Sequence, residues 1–232
     1  CTVVSIADSF APHEIATRLR ITGAKAIFTQ DVVIRGGRQF PMYEKVQAAQ
    51  APVAVVIPAG QRLAAPLREG DRAWSHFLSK RGEFDPVDRD PEAHINILFS
   101  SGTTGEPKAV PWNQTVPIKC AADAWLHQDV QPGDVLAWPT NIGWMMGPWL
   151  IFASLVNRAT MALFYDAPTG RGFCEFVQNA GVTMLGVVPS LVKTWRANGH
   201  WHGLDWSRIR LFSSTGECSN EEDMLWLMSR AG

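Results

Sequence analysis

Ile95-Asn96-Ile97-Leu98-Phe99-Ser100-Ser101-Gly102-Thr103-Thr104-Gly105-Glu106-Pro107-Lys108 joins a short apolar run to a loop dense in glycine and hydroxyls. A run this short, bounded by turn residues, has the length of a buried strand and not of a helix. In the loop, Gly102 and Gly105 permit backbone turns barred to other residues and leave room for an anion to approach. Ser100, Ser101, Thr103 and Thr104 offer hydroxyls and successive amide donors, and Lys108 adds a full positive charge. The combination is that of a strand running into a phosphate-holding loop. A Walker A loop is excluded, because it needs Gly, four residues, then Gly-Lys-Ser/Thr. The competing reading is a polar hairpin turn, since glycine and threonine are common in turns. Either way a return strand is expected at 108–112.

Outward from this loop, short β-branched runs alternate with helical stretches almost from end to end. That alternation marks an α/β chain, doubly wound, with mostly parallel sheets and helices on both faces. Before the loop, strands are expected at 3–7, 26–29 and Val53–Ile57. Helices are expected after Ser9 as cap, with Pro12 near the first position and Gly23 as stop, at 43–50 and at 74–80. Residues 81–93, with Asp85, Asp88, Asp90 and Glu92 among Pro86 and Pro91, follow neither structural period and read as a linker. This sets a boundary near residue 90, dividing 1–90 from 91–232. After the loop come a helix at 115–127 and strands at 135–138, 160–164, 182–188 and 209–213, each followed by a helix. Right-handed crossovers place their ends along one edge, where such sheets bind ligands.

Composition narrows the function. The 232 residues are 46% hydrophobic, enough to bury roughly 70–75% of the unfolded surface. Twenty-one Lys plus Arg against 22 Asp plus Glu leave a net charge of -1 and no basic stripe, which argues against nucleic acid as a partner. Cys1, Cys120, Cys174 and Cys218 lie far apart with no Cys-x-x-Cys pair, fitting an intracellular, reducing compartment and neither a zinc site nor a disulfide framework. Residues 135–157 carry no charge, but Pro139, Pro148 and the Thr140-Asn141 pair make a buried strand-loop-helix unit a better reading than a membrane span. His200 and His202 have alternate spacing but no third ligand and read as surface residues. The start at Cys1 without Met and the end at Ser229-Arg230-Ala231-Gly232 suggest a piece of a longer protein.

The loop string resembles the signature of the adenylate-forming superfamily, which comprises acyl-CoA synthetases, peptide-synthetase adenylation domains and luciferases. Their pattern is Ser/Thr-Ser-Gly-Thr/Ser-Thr-Gly-x-Pro-Lys. Two further segments follow in the order that family has. Asn141-Ile142-Gly143-Trp144-Met145-Met146-Gly147 is similar to the acetyl-CoA-synthetase-type segment lining the carboxylate pocket, and Ser214-Thr215-Gly216-Glu217 to the turn that packs on adenine. The wording is nearest the plant acyl-activating enzymes related to acetyl-CoA synthetase, some of them peroxisomal. The resemblance implies part of the N-terminal domain of an ATP-dependent carboxylate-CoA ligase, forming an acyl-adenylate and then acyl-CoA. It makes Lys108 and Thr103 the catalytic residues, with Thr103 beside Mg²⁺. Ser100, Ser101, Gly102, Thr103, Thr104, Gly105 and Lys108 would hold ATP phosphates. Thr215, Gly216, Glu217 and Cys218 would meet the nucleotide, and Trp144, Met145 and Met146 the carboxylic acid. CoA is the implied second substrate, and peroxisome or cytoplasm the implied place. Ala109 and Cys218 stand where the family usually has glycine and proline. The family's Thr-Glu element, ribose-binding aspartate and C-terminal lysine would fall after Gly232, so this chain alone is expected not to complete the reaction. A non-catalytic ATP- or acyl-binding remnant is the alternative.

Overall fold

The alternation resolves into twelve strands and eight helices among the described residues, 1–79, 82–100 and 105–231 of a computed structural model. They gather into two units, Cys1–Gln114 and Thr115–Gly232.

The first unit runs β1 (Val3–Val4), α1 (Pro12–Thr22), β2 (Ala26–Gln30), β3 (Val33–Arg35), β4 (Arg38–Phe40), α2 (Met42–Ala48), β5 (Val53–Ile57), β6 (Arg72–Ala73), α3 (Trp74–Phe77), β7 (His94–Ser100) and β8 (Lys108–Asn113). Strands β2, β5 and β6 form a parallel sheet; β7 pairs in parallel with β1 and antiparallel with β8. Because β7 and β8 join β1, the units divide after Gln114 and not near residue 90. Helix α1 starts at Pro12 as expected, but its cap is Ala11 and not Ser9. The residue before proline is held extended, so the helix cannot begin earlier. The Glu14 carboxylate then accepts the Ala11 amide at 2.9 Å. Ile15 and Leu19, one turn apart, bury against Tyr43 and Val46 of α2 and Val56 of β5. Each such side chain contributes about 1.5–3 kcal/mol of transfer free energy. Strands β3 and β4 were not anticipated. Their turn, Gly36 and Gly37 at φ +55° and +73°, has the two left-handed residues of a type I′ hairpin.

The second unit runs α4 (Val116–Gln128), β9 (Val135–Ala137), α5 (Met146–Val156), β10 (Thr160–Ala162), α6 (Arg171–Asn179), β11 (Met184–Val187), α7 (Pro189–Asn198), β12 (Leu211–Ser214) and α8 (Glu221–Met228). Its four strands are parallel in the order β10-β9-β11-β12. The chain steps from β9 outward to β10, then returns across β9 to β11. That reversal makes a topological switch point between β9 and β11, and ligands of open α/β sheets bind beyond the carboxyl ends of the strands at such a point. Strand β11 is buried throughout, as a central parallel strand should be. Phe173 stacks on Trp195 at 5.3 Å in the core below. The buried indoles find acceptors: Trp195 Nε1 donates to Pro168 O at 2.8 Å and Trp206 Nε1 to Cys174 O at 3.1 Å. Residues 135–157 form β9, a turn and α5, with Pro148 in the first helical turn, where its missing amide costs nothing. Among the described residues, no helix is long and apolar enough to cross a membrane.

Candidate functional site

The apolar run of β7 carries the chain to Ser100, which stands opposite Lys108 in the antiparallel register. Both Ser100 and Lys108 are exposed. Ser101, Gly102, Thr103 and Thr104 lie outside the described residues. Gly105 has φ +92°, a conformation that favours glycine. Glu106 pairs with Arg20 of α1 at 3.2 Å. Beneath the strand, the buried Arg18 guanidinium lies 3.7 Å over the Phe10 ring and 5.3 Å from that of Phe99, and its Nη1 donates to Glu14 O. Burial pushes its pKa down, although Glu14 acts in the opposite sense.

In the second unit, the turns after β9, β11 and β12 follow the carboxyl ends of neighbouring parallel strands. After β9, Trp138 is nearly buried and meets Trp149 of α5 edge-on at 5.8 Å. Its ring lies across Gly186 of β11, where an added Cβ would fall 1.9 Å from Trp138 Cδ2. The following turn is tied by Asn141, whose Oδ1 accepts the Gly143 amide at 2.8 Å and whose backbone oxygen accepts that of Trp144 at 3.0 Å. Gly147 packs so closely on this turn that a Cβ would sit 2.4 Å from Asn141 O. Trp144 and Met145 are 50% and 56% exposed, and Met146 is half-buried at the start of α5. They are not core residues.

After β12 the chain turns through Thr215, whose amide donates to Val187 O at 3.3 Å, and Gly216 at φ +94°. The Ser214 and Ser219 hydroxyls meet at 3.2 Å, and Asn220 caps α8 by accepting the Asp223 amide. Cys218 is exposed. The Glu217 carboxylate is held by Ser190 at the start of α7: Oε2 accepts the amide at 2.9 Å and Oε1 the hydroxyl at 3.0 Å. Neither this link nor the packing of Trp138 on Gly186 was expected; Pro189-Ser190 marks a helix start, but nothing local names its distant cap. Among the described residues, no group of three or more His, Cys, Asp or Glu side chains is placed to hold a metal ion.

With these turns in place, the profile of the AMP-binding enzymes matches residues 1–232 from end to end. The chain belongs to the AMP-binding enzyme family. Over 99% of its length this AMP-binding chain is 57% identical to "Probable acyl-activating enzyme 17, peroxisomal" of Arabidopsis thaliana and 56% identical to "Hexanoyl-CoA synthase" of Cannabis sativa. It spans about a third of the length of each, 33%. The fold matches the acetoacetyl-CoA synthetase of Streptomyces lividans with a TM-score of 0.84 at 24% identity, covering 95% of this chain and 35% of that one.

Proposed function

We propose that this chain is the phosphate-, adenine- and acyl-handling part of an AMP-forming carboxylate-CoA ligase. The observation that carries the reading is the family match across 1–232, together with the turns after β9 and β12 opening on one sheet edge. In the proposed reaction, a carboxylate oxygen attacks the α-phosphorus of ATP. The bond to the bridging oxygen breaks, and pyrophosphate leaves with the electron pair. The CoA sulfur, as thiolate, then attacks the acyl carbonyl and AMP departs. Charge grows on the leaving pyrophosphate, so the loop's task is electrostatic. Lys108 and the loop from Ser100 to Gly105 would hold the outer phosphates, with Thr103 beside Mg²⁺. A magnesium ion, when bound, would neutralise phosphate charge. Thr215, Gly216 and Cys218 would meet the adenine side, and exposed Trp144 and Met145 suit an apolar acyl group of short or medium length. Peroxisome or cytoplasm is the proposed location, the former from the relatives.

The test is ATP–pyrophosphate exchange by the longer protein containing this chain, with Lys108→Ala beside it. Exchange should fall on the order of 100- to 1000-fold, the usual effect of deleting one preorganised donor. Unchanged exchange would overturn the assignment. A second reading is that these residues bind ATP or an acyl group without catalysing the reaction. Calorimetric titration of ATP into the isolated chain, with Thr103→Ala as control, supports it only if wild type alone gives heat.

A further inference from the structure

We propose that Glu217 serves as a positioning residue: its carboxylate clamps the Thr215–Cys218 turn to the start of α7 and does not itself touch the nucleotide. The inference deepens the preceding reading, which makes that turn the adenine wall. Helix α7 begins with Pro189, which has no amide, so the Ser190 amide is the first donor without a helical partner. The cap position, Val188, has no side-chain acceptor. Glu217, 27 residues downstream, supplies one, and places its charge at the positive end of the helix. Both of its oxygens are spent on one residue, at 2.9 and 3.0 Å.

Beside the clamp, the turn is closed by the Ser214–Ser219 hydroxyl contact at 3.2 Å, made between exposed residues. No proline lies between Ser214 and Asn220, Gly216 is left-handed, and the Thr215 amide bond to Val187 is long at 3.3 Å. Without the clamp, the turn gains freedom that a bound nucleotide must remove, so affinity falls even though every group facing the nucleotide is still present. The clamp also joins the ends of two neighbouring strands, because α7 leaves β11 and the turn leaves β12. It fills the helix terminus with the protein's own anion, so that terminus is not open to a phosphate.

Hydrogen–deuterium exchange on the 232-residue chain tests this directly. Glu217→Ala should speed exchange at Ser190 and across 215–219 while leaving β11 and β12 protected. ATP titration with magnesium chloride should show affinity falling about tenfold in Glu217→Ala and about threefold in Glu217→Gln and Ser190→Ala, each of which keeps part of the clamp. The double variant Glu217→Ala/Ser190→Ala should be no worse than Glu217→Ala. Unchanged exchange in Glu217→Ala would overturn the proposal. So would an equal fall in affinity in the Gln and Ala variants with the turn still protected, which indicates that the carboxylate touches the nucleotide itself. If the wild-type chain binds no ATP, the functional reading fails for this chain, while exchange still decides the clamp.

Discussion

Gly186 sits in the middle of a buried strand, where glycine weakens pairing and leaves nothing to pack, and the Trp138 ring lying across it is the reason. An added methyl would meet the ring at 1.9 Å, with Trp149 behind it. Gly186→Ala is therefore expected to cost about 1–3 kcal/mol, the usual effect of overpacking. Pairing it with Trp138→Leu should cost less than the sum of the two single changes, because each relieves the other's misfit. Denaturant titration of the four proteins checks this; strict additivity would mean that the ring and the strand do not share the space. The cysteines give a second prediction. Burial pushes the Cys120 thiol up to about 11 and that of Cys174 to about 12, whereas Cys1 and Cys218 are exposed. At neutral pH a thiol reagent should consume two equivalents quickly and two more only in denaturant. ATP should slow the labelling of Cys218 alone, since it lies in the turn proposed to meet the nucleotide. Protection of Cys1 instead would move the nucleotide elsewhere.

At the scale of elements, the strands of the second unit are latched at their amino ends, opposite the edge proposed to bind the nucleotide and acyl group. Asp134 precedes β9, Thr183 precedes β11 and Arg210 precedes β12. Asp134 accepts from Arg210 at 2.6 Å, from the Gln131 amide at 2.7 Å and from the Thr183 hydroxyl at 2.9 Å. Burial pushes the carboxyl up, but these bonds outweigh it and hold the pKa below the ordinary value. A lowered folded pKa means that the stabilisation is present above the unfolded carboxylate's value near 4 and is lost as pH falls through the folded one. Asp71 behaves likewise: desolvation opposes, but Arg68, Tyr43 and the Ala54 amide prevail. Asp134→Asn should cost about 1–3 kcal/mol at pH 7, toward the low end because Arg210 is half exposed, and should flatten the fall in stability below pH 4. An unaltered slope in acid denaturation would show that the latch does not titrate. None of the latch is visible in sequence, because its members lie up to 76 residues apart and each alone is an ordinary polar residue at a strand start. The strands themselves were legible, since central parallel strands must be apolar on both faces, and β11 is. Helix α1 was legible in span, though Glu14 rather than Ser9 satisfies its first turn. The β3–β4 hairpin could have been found from Gly36-Gly37 between Val33-Ile34-Arg35 and Arg38-Gln39-Phe40. Of the candidate site, the strands on either side of the Ser100 to Lys108 string were legible from residue type, whereas the Ser214 to Glu217 turn stood out only through its order in the family. The Glu217 clamp was not legible, because it depends on which strands end up adjacent.

At the scale of the whole molecule, the surface of the second unit is unusually apolar on one pair of helices. Ile118, Trp125 and Leu126 of α4 and Leu155 and Val156 of α5 are all exposed, Leu126 by 74%. Helices α4 and α5 pack on each other, so these side chains belong to one helical layer and not to scattered sites. Isolated exposed apolar residues are normal, but several on one layer favour association. Charge does little to oppose it: the net charge is -1 and the isoelectric point about 6.7, so copies of the chain barely repel one another near neutral pH. The 232-residue chain is therefore expected to sediment with a weight-average mass that rises with concentration, most steeply near pH 6.7. Leu126→Lys with Leu155→Lys should reduce that rise without lowering the melting temperature, because neither side chain is in the core. The two remedies differ in kind: raising the pH to 9 restores repulsion everywhere, whereas the double variant removes attraction at one layer. If high pH abolishes association and the lysine pair does not, the helices are not the meeting surface and net charge alone governs it. If the lysine pair suffices at pH 6.7, the α4–α5 layer is the surface through which copies meet.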